Sequence, residues 1–307
     1  MKQRYFLSQN SAVAGVLEAI LLIGLVAIIL SMIQLYYVPE IMQQKESDHM
    51  DQVSNQLAQL KSVIETQAMM GIIDYDETIA HTPMSSPLTL GSKELPYFVS
   101  ARSYGTLKII DQDLADDNII NIQPASVDFP SGIPLTSIYY KATNFYFPEN
   151  IQPWQEYIFE GGGIILKQSN GEVMRGFPGI NVENNSALGH IKIKYFIPIF
   201  DSIAGKKNYS SWRDCYVYTN YSKHYTHIGP ATKIQIFSDY ADAWYDCLFN
   251  ESRGILWEYQ DNGYINVQFD ETVTPNKIEI TPSSANIQLE LTIAVISAQV
   301  GPGYVPN

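Results

Sequence analysis

Apolar residues run almost unbroken from residue 12 to residue 38, where only Glu18, Ser31 and Gln34 are plainly polar. As a helix this stretch would be roughly 40 Å long, more than the roughly 30 Å of a bilayer's hydrocarbon core. The pattern then changes: Met50, Val53, Leu57, Leu60 and Ile64 recur at alternating steps of three and four, with Gln, Lys, Glu and Ser between them. That spacing predicts a helix that packs one stripe against a partner. Pro39 removes one backbone donor and should kink rather than sever the helix, and Gly71 is a natural stop. The two halves either form one rod from Ala12 to Met70, about 90 Å long, or a membrane helix and a separate amphipathic helix. The rod is the expectation.

Beyond residue 71 the period falls to two. Residues 72–91 are polar and turn-rich and read as a connector. Alternating segments follow at 107–110, 119–122, 163–167, 190–197, 215–218, 233–237, 256–259, 264–269, 277–280 and 287–293, parted by Gly, Pro, Asn and Asp. Gln260-Asp261-Asn262-Gly263 reads as a hairpin turn, since Asn-Gly accepts positive φ. One helical interruption stands out: Ser238 is a capping candidate, and Ala241, Trp244, Tyr245 and Leu248 share a face. The expected fold class is α+β, mainly β. A long hydrophobic and amphipathic N-terminal helix (12–71) precedes an antiparallel, sandwich-like head (92–300) that carries a short helix. Gly301, Pro302, Gly303 and Pro306 make 301–307 a loose tail.

The flanks orient the apolar segment. Lys2 and Arg4 precede it within a leader of residues 1–11, whereas Glu40, Glu46 and Asp48 follow with only Lys45 nearby. Positive residues collect on the cytoplasmic side, so the leader is expected inside and the head outside, with Tyr36 and Tyr37 at the outer interface. The run is too long for the apolar region of a cleaved secretory signal. Glu18 then needs an explanation, because a carboxylate at mid-membrane costs about 2.5–3.5 kcal/mol on insertion scales. It either pairs with a neighbour or lies near enough to the surface to meet headgroups.

Charge narrows the partners. With 19 Lys+Arg against 32 Asp+Glu the chain carries a formal charge of -13, which disfavours nucleic acid and anionic lipid. About 240 residues follow the helix, enough for one large domain or two modest ones. Two cysteines, Cys215 and Cys247, are too few for a disulfide scaffold or a four-thiolate zinc site. They either pair outside the cell or pack as buried thiols.

No HExxH, CxxC, phosphate-loop, GxGxxG or GxSxG motif occurs, so no enzyme, cofactor or metal is expected. His224 and His227 would point to opposite faces of a strand. Asp111, Asp113, Asp116, Asp117 and Asn118 offer oxygens suited to calcium but lack the glycine and terminal glutamate of an EF-hand loop; an ordinary acidic turn is the simpler reading. Four Asn-X-Ser sequons, at Asn184, Asn208, Asn220 and Asn250, would be glycosylation sites on an extracellular surface. Tyr139, Tyr140, Phe145, Tyr146, Phe147, Trp154, Tyr157 and Phe159 could bind a sugar or a protein partner, or simply fill strands and core.

A short leader, a hydrophobic helix continuing as an amphipathic rod, and a β-rich head resemble the type IV pilin plan. The run from Ala12 to Gly24, followed by Gln34-Leu-Tyr-Tyr-Val-Pro39, is similar to the N-terminus of archaeal pilin-like and archaellin-like surface proteins. Ser86-Pro-Leu-Thr-Leu-Gly-Ser-Lys-Glu-Leu-Pro96 looks like a segment after the helix in archaeal proteins of that layout. The resemblance implies a cell-surface filament subunit that meets identical subunits through this helix. It also implies processing within Val13, Ala14, Gly15 and Val16. Glu18 would stand fifth after a cut between Val13 and Ala14, where it would neutralise a neighbour's N-terminal amine. The charged residue that such peptidases usually follow is not at that junction.

Overall fold

A computed structural model describes residues 10–74, 82–91, 103–115, 117–123, 132–144, 154–185, 190–203 and 205–305, with backbone alone at 10–13, 154 and 185. The leader up to residue 9, Asp116, Phe145, Tyr146, Phe147, the Trp154 side chain and residues 92–96 lie outside what it describes.

One long helix opens the chain. Helix α1 (Asn10–Met32) passes through a π turn at Ile33–Tyr37 into α2 (Val38–Ile73). The widened turn sits just ahead of Pro39 and pairs the Val38 N–H with the Ile33 carbonyl. Because Pro39 has no N–H to give, a register change there keeps the helix running on. The helix does not stop at Gly71 as expected; it runs two residues further to Ile73. Gly71 is instead a contact residue, since a Cβ there would lie 2.4 Å from the Tyr221 ring.

The strands, in chain order, are β1 (Met84–Thr89), β2 (Tyr104–Ile110), β3 (Ile119–Gln123), β4 (Ile133–Pro134), β5 (Ser137–Thr143), β6 (Trp154–Glu160), β7 (Gly163–Gln168) and β8 (Gly171–Gly176). They continue with β9 (Gly179–Asn185), β10 (His190–Ser202), β11 (Asn208–Ser211), β12 (Asp214–Ala231) and β13 (Lys233–Phe237), then helices α3 (Ala241–Phe249) and α4 (Trp257–Asp261), and finally β14 (Ile265–Asp270), β15 (Lys277–Pro282) and β16 (Asn286–Gly301). They form three sheets, ordered β1-β12-β16-β10-β9, β11-β2-β5-β6-β7-β8 and β14-β15-β13-β3-β4.

The head is therefore mainly β behind one long helix, but five expectations are corrected. The long β10 and β16 run parallel, so the head is not wholly antiparallel. Residues 84–89 of the expected connector form an edge strand on β12. The segment 256–259 is largely the short helix α4, and Asn262-Gly263 ends that helix rather than turning a hairpin. The described part of the tail is tied down: Gln299 Nε2 donates to the Val305 carbonyl at 2.7 Å and Val305 N–H returns a bond at 3.1 Å.

Two cores share the first sheet. In β16, Ile287, Leu289, Leu291 and Ile293 enter a core with the third sheet and α3, while Ala294, Ile296, Ala298 and Val300 enter a core with α2 and the second sheet. Odd and even residues of a strand point to opposite faces. The sheet is thus covered on one face near one end and on the other face near the other end. The seam of α2 fills the second core, with Val53, Leu57 and Ile64 completely buried. Each such side chain contributes roughly 1.5–3 kcal/mol on burial. Polar bonds fix the seam's register: His49 Nε2 lies 2.8 Å from the Thr89 carbonyl, and Gln67 Nε2 donates to the Thr219 carbonyl at 2.9 Å.

Candidate functional site: an uncovered helix and a two-core head

The same helix lives in two environments. Leu57 is 0% exposed, whereas Leu21 is 71% exposed. Between Ala14 and Met32 every residue is exposed, and none of the helix's most apolar stretch is buried inside the protein. This is the one helix among the described residues long and apolar enough to span a membrane. Large exposed apolar surfaces of this kind mark contact with lipid or protein. Ala14, Gly15, Val16 and Glu18 sit on its exposed early turns, and a Cβ at Gly15 or Gly24 would meet nothing within 4 Å. Val13 lies on the same helix with only its backbone described. Tyr36 and Tyr37 are exposed just before Pro39.

The turn between β6 and β7 gathers the head. Glu160 is buried, and its Oε1 accepts from Ser238 Oγ at 2.7 Å and Trp244 Nε1 at 2.9 Å. The Gly161 carbonyl accepts from the Tyr195 hydroxyl at 2.9 Å, and the Gly162 carbonyl from Lys61 Nζ at 2.8 Å. Three consecutive residues thereby tie α3, the first sheet and the long helix together. Gly161 has φ +55° with Trp244 and Tyr195 packed where a side chain would begin, so glycine is required. Burial pushes Glu160 up to about 7, against the opposing bonds from Ser238 and Trp244. Ser238 does not cap α3 as expected, since the helix starts at Ala241 and the cap position, Tyr240, makes no side-chain cap bond.

A concavity of about 410 Å³ opens on the first sheet where the cover of the third sheet ends. Its floor includes Ile199, Ile293 and Val295, and its rim carries Gln112, Lys223, Tyr225 and His227. A bulge between Tyr221 and Lys223 creates it. Before the bulge the odd residues of β12, Cys215 and Val217, enter the α2 core; after it, Lys223 and Tyr225 lie opposite Val295 and Ile293 on the other face. The sequence pattern hides this, because strand periodicity does not announce an inserted residue.

The remaining predicted sites fall apart in space. Cys215 and Cys247 are free thiols buried in different cores, so the paired alternative is corrected. Burial raises Cys215 to about 11 and Cys247 to about 12. Thiol alkylation of the folded protein should therefore label neither, and unfolding without reductant should release two reactive thiols by mass spectrometry. Asp111 is taken by Lys207 and Ser202; burial pushes its carboxyl up, and those bonds outweigh it and leave it lowered. Asn118 binds Asp239 instead, its Oδ1 accepting that backbone N–H at 3.1 Å. His224 Nδ1 lies 2.6 Å from the Tyr221 hydroxyl, and among the described residues no three His, Cys, Asp or Glu gather as metal ligands.

Asn184 and Asn208 are exposed, while Asn220 and Asn250 are half-buried. The Asn250 amide is already used, Nδ2 donating to Asp246 Oδ1 at 2.7 Å. Of the aromatic stretch, Tyr140, Tyr157 and Phe159 are core residues, and the half-buried Tyr139 donates to Glu156 Oε1 at 2.5 Å. The described part of the stretch is packing, not a binding surface. Compared with family models, curated proteins and solved structures, the chain matches none.

Proposed function

We propose that this chain is a structural cell-surface protein of the type IV pilin plan. Its uncovered N-terminal helix is buried by lipid or by identical helices, and its β-rich head is displayed outside the cell. The observation that carries this reading is the contrast along one continuous helix, whose second half is sealed into the head while its first half presents apolar side chains all round. In a filament those side chains bury one another; in a membrane they meet acyl chains. The basic leader and the acidic residues after Pro39 support the orientation. The net charge of -13 supports a displayed, soluble head. On such a head Asn184 and Asn208 are the sequons open to glycan addition, and none is expected at Asn250.

The test is mass spectrometry of the native N-terminus together with negative-stain microscopy of the same surface preparation. A chain that begins between Val13 and Val16, found in filaments, is the expected result. An uncleaved chain, extracted only by detergent and without filaments, overturns the filament and leaves a single-pass surface protein. In that second reading the head would work by binding a glycan or protein partner.

A further inference from the structure

The groove beside β12 has a composition that differs from the cores around it. Tyr225 is 45% exposed at the mouth of a cleft whose floor is aliphatic. Its volume lies within the roughly 300–1,000 Å³ usual for small-ligand sites. Lys223 Nζ stands over the Tyr225 ring, 5.4 Å from its centroid, and the tyrosine still keeps nearly half of its surface exposed. Asp201 acts on Lys223 from outside the cleft's lining. Gln112 and His227 complete the rim. The cleft therefore offers an exposed aromatic side chain, a lysine donor, and an amide that both donates and accepts.

From this chemistry we infer that the groove binds a neutral saccharide, one sugar ring stacked on Tyr225 with its hydroxyls bonded by Lys223 and Gln112. A sugar presents an apolar C–H face and a rim of hydroxyls that both donate and accept, which is the complement of what the cleft displays. The chain's net charge of -13 disfavours a uronic-acid polymer. The bulge, Lys223 and Pro230 protect the β12 edge from pairing with an added strand, which disfavours an extended peptide. The inference holds whether lipid or identical helices cover α1.

The test uses the full chain in detergent on a printed array of neutral hexose and N-acetylhexosamine oligosaccharides, with uronic-acid oligosaccharides and extended peptides alongside. Retention on neutral oligosaccharides is expected. Affinity should weaken at least tenfold in Tyr225→Ala, remain within about threefold in Tyr225→Phe, and be unchanged in Tyr104→Ala, an exposed tyrosine on another sheet. Lys223→Ala, which removes a rim donor without touching a core residue, should lose about threefold to fivefold. The inference is overturned by no retention on any neutral oligosaccharide, by retention on uronic acids or peptides alone, or by retention that Tyr225→Ala and Lys223→Ala leave intact.

Discussion

Replacing Glu160 by Gln should flatten the protein's stability between pH 4.5 and 7, removing a penalty of about 3 kcal/mol at pH 8 that is partly offset because the amide Nε2 takes the place of a buried oxygen with no partner. The carboxyl's ordinary value of 4.5 rises to about 7 in the folded chain, and each unit corresponds to about 1.4 kcal/mol. Between those two values the unfolded chain has released the proton while the folded chain still holds it. Wild-type stability is then fully present below pH 4.5, falls as pH rises toward 7, and is level above it. Burial is the leading cause, and Asp239 and Glu172 add to it. Glutamine keeps the carbonyl that Ser238 Oγ and Trp244 Nε1 address and cannot ionise. Denaturant unfolding of the full chain in detergent at pH 4.5, 6 and 8 checks the prediction. A variant whose stability still falls across that range would show that another group carries the dependence.

Two leucines on one helix should respond very differently. Leu57→Ala should cost about 2–5 kcal/mol, because it removes a completely buried side chain from the seam and leaves a cavity between α2 and the sheets. Leu21→Ala should leave head stability within about 0.5 kcal/mol of wild type, as expected for an exposed site. Unfolding of both variants in the same micelles, followed by near-ultraviolet circular dichroism of the head's aromatic residues, makes the comparison. Equal losses would mean that the apolar first half contributes to the head's fold, and the division of labour along the helix would fail.

Much of this layout was legible in the residues. The seam from Met50 to Ile64 was readable because a helix that buries one stripe must repeat near 3.5, and strands such as 233–237 and 277–280 were readable because one face is wet. Legibility failed where both faces are buried or where a contact arrives from far along the chain. At Ile293-Ala294-Val295-Ile296 the strand changes the face it gives to a core, and no local pattern records which partner lies on which side. The parallel register of β10 with β16 joins residues about a hundred positions apart. Gly71 looks like a terminator until Tyr221 is seen against it. Leu256 to Tyr259 alternates like a strand, yet local bonds such as Gln260 N–H to the Leu256 carbonyl turn it into helix. The groove at Tyr225 depends on a single inserted residue, and its histidine was visible in the sequence only as a doubtful metal ligand.

The seam between α2 and the first sheet also has a mechanical meaning. The helix runs alongside β12 in the same direction, held near one end by His49 at Thr89 and near the other by Gln67 at Thr219. A pull on the exposed first half of the helix is directed along that contact, so the seam's buried side chains resist sliding together instead of peeling away one at a time. A load between the head and the exposed half of the helix would thus be carried as shear spread over several helical turns.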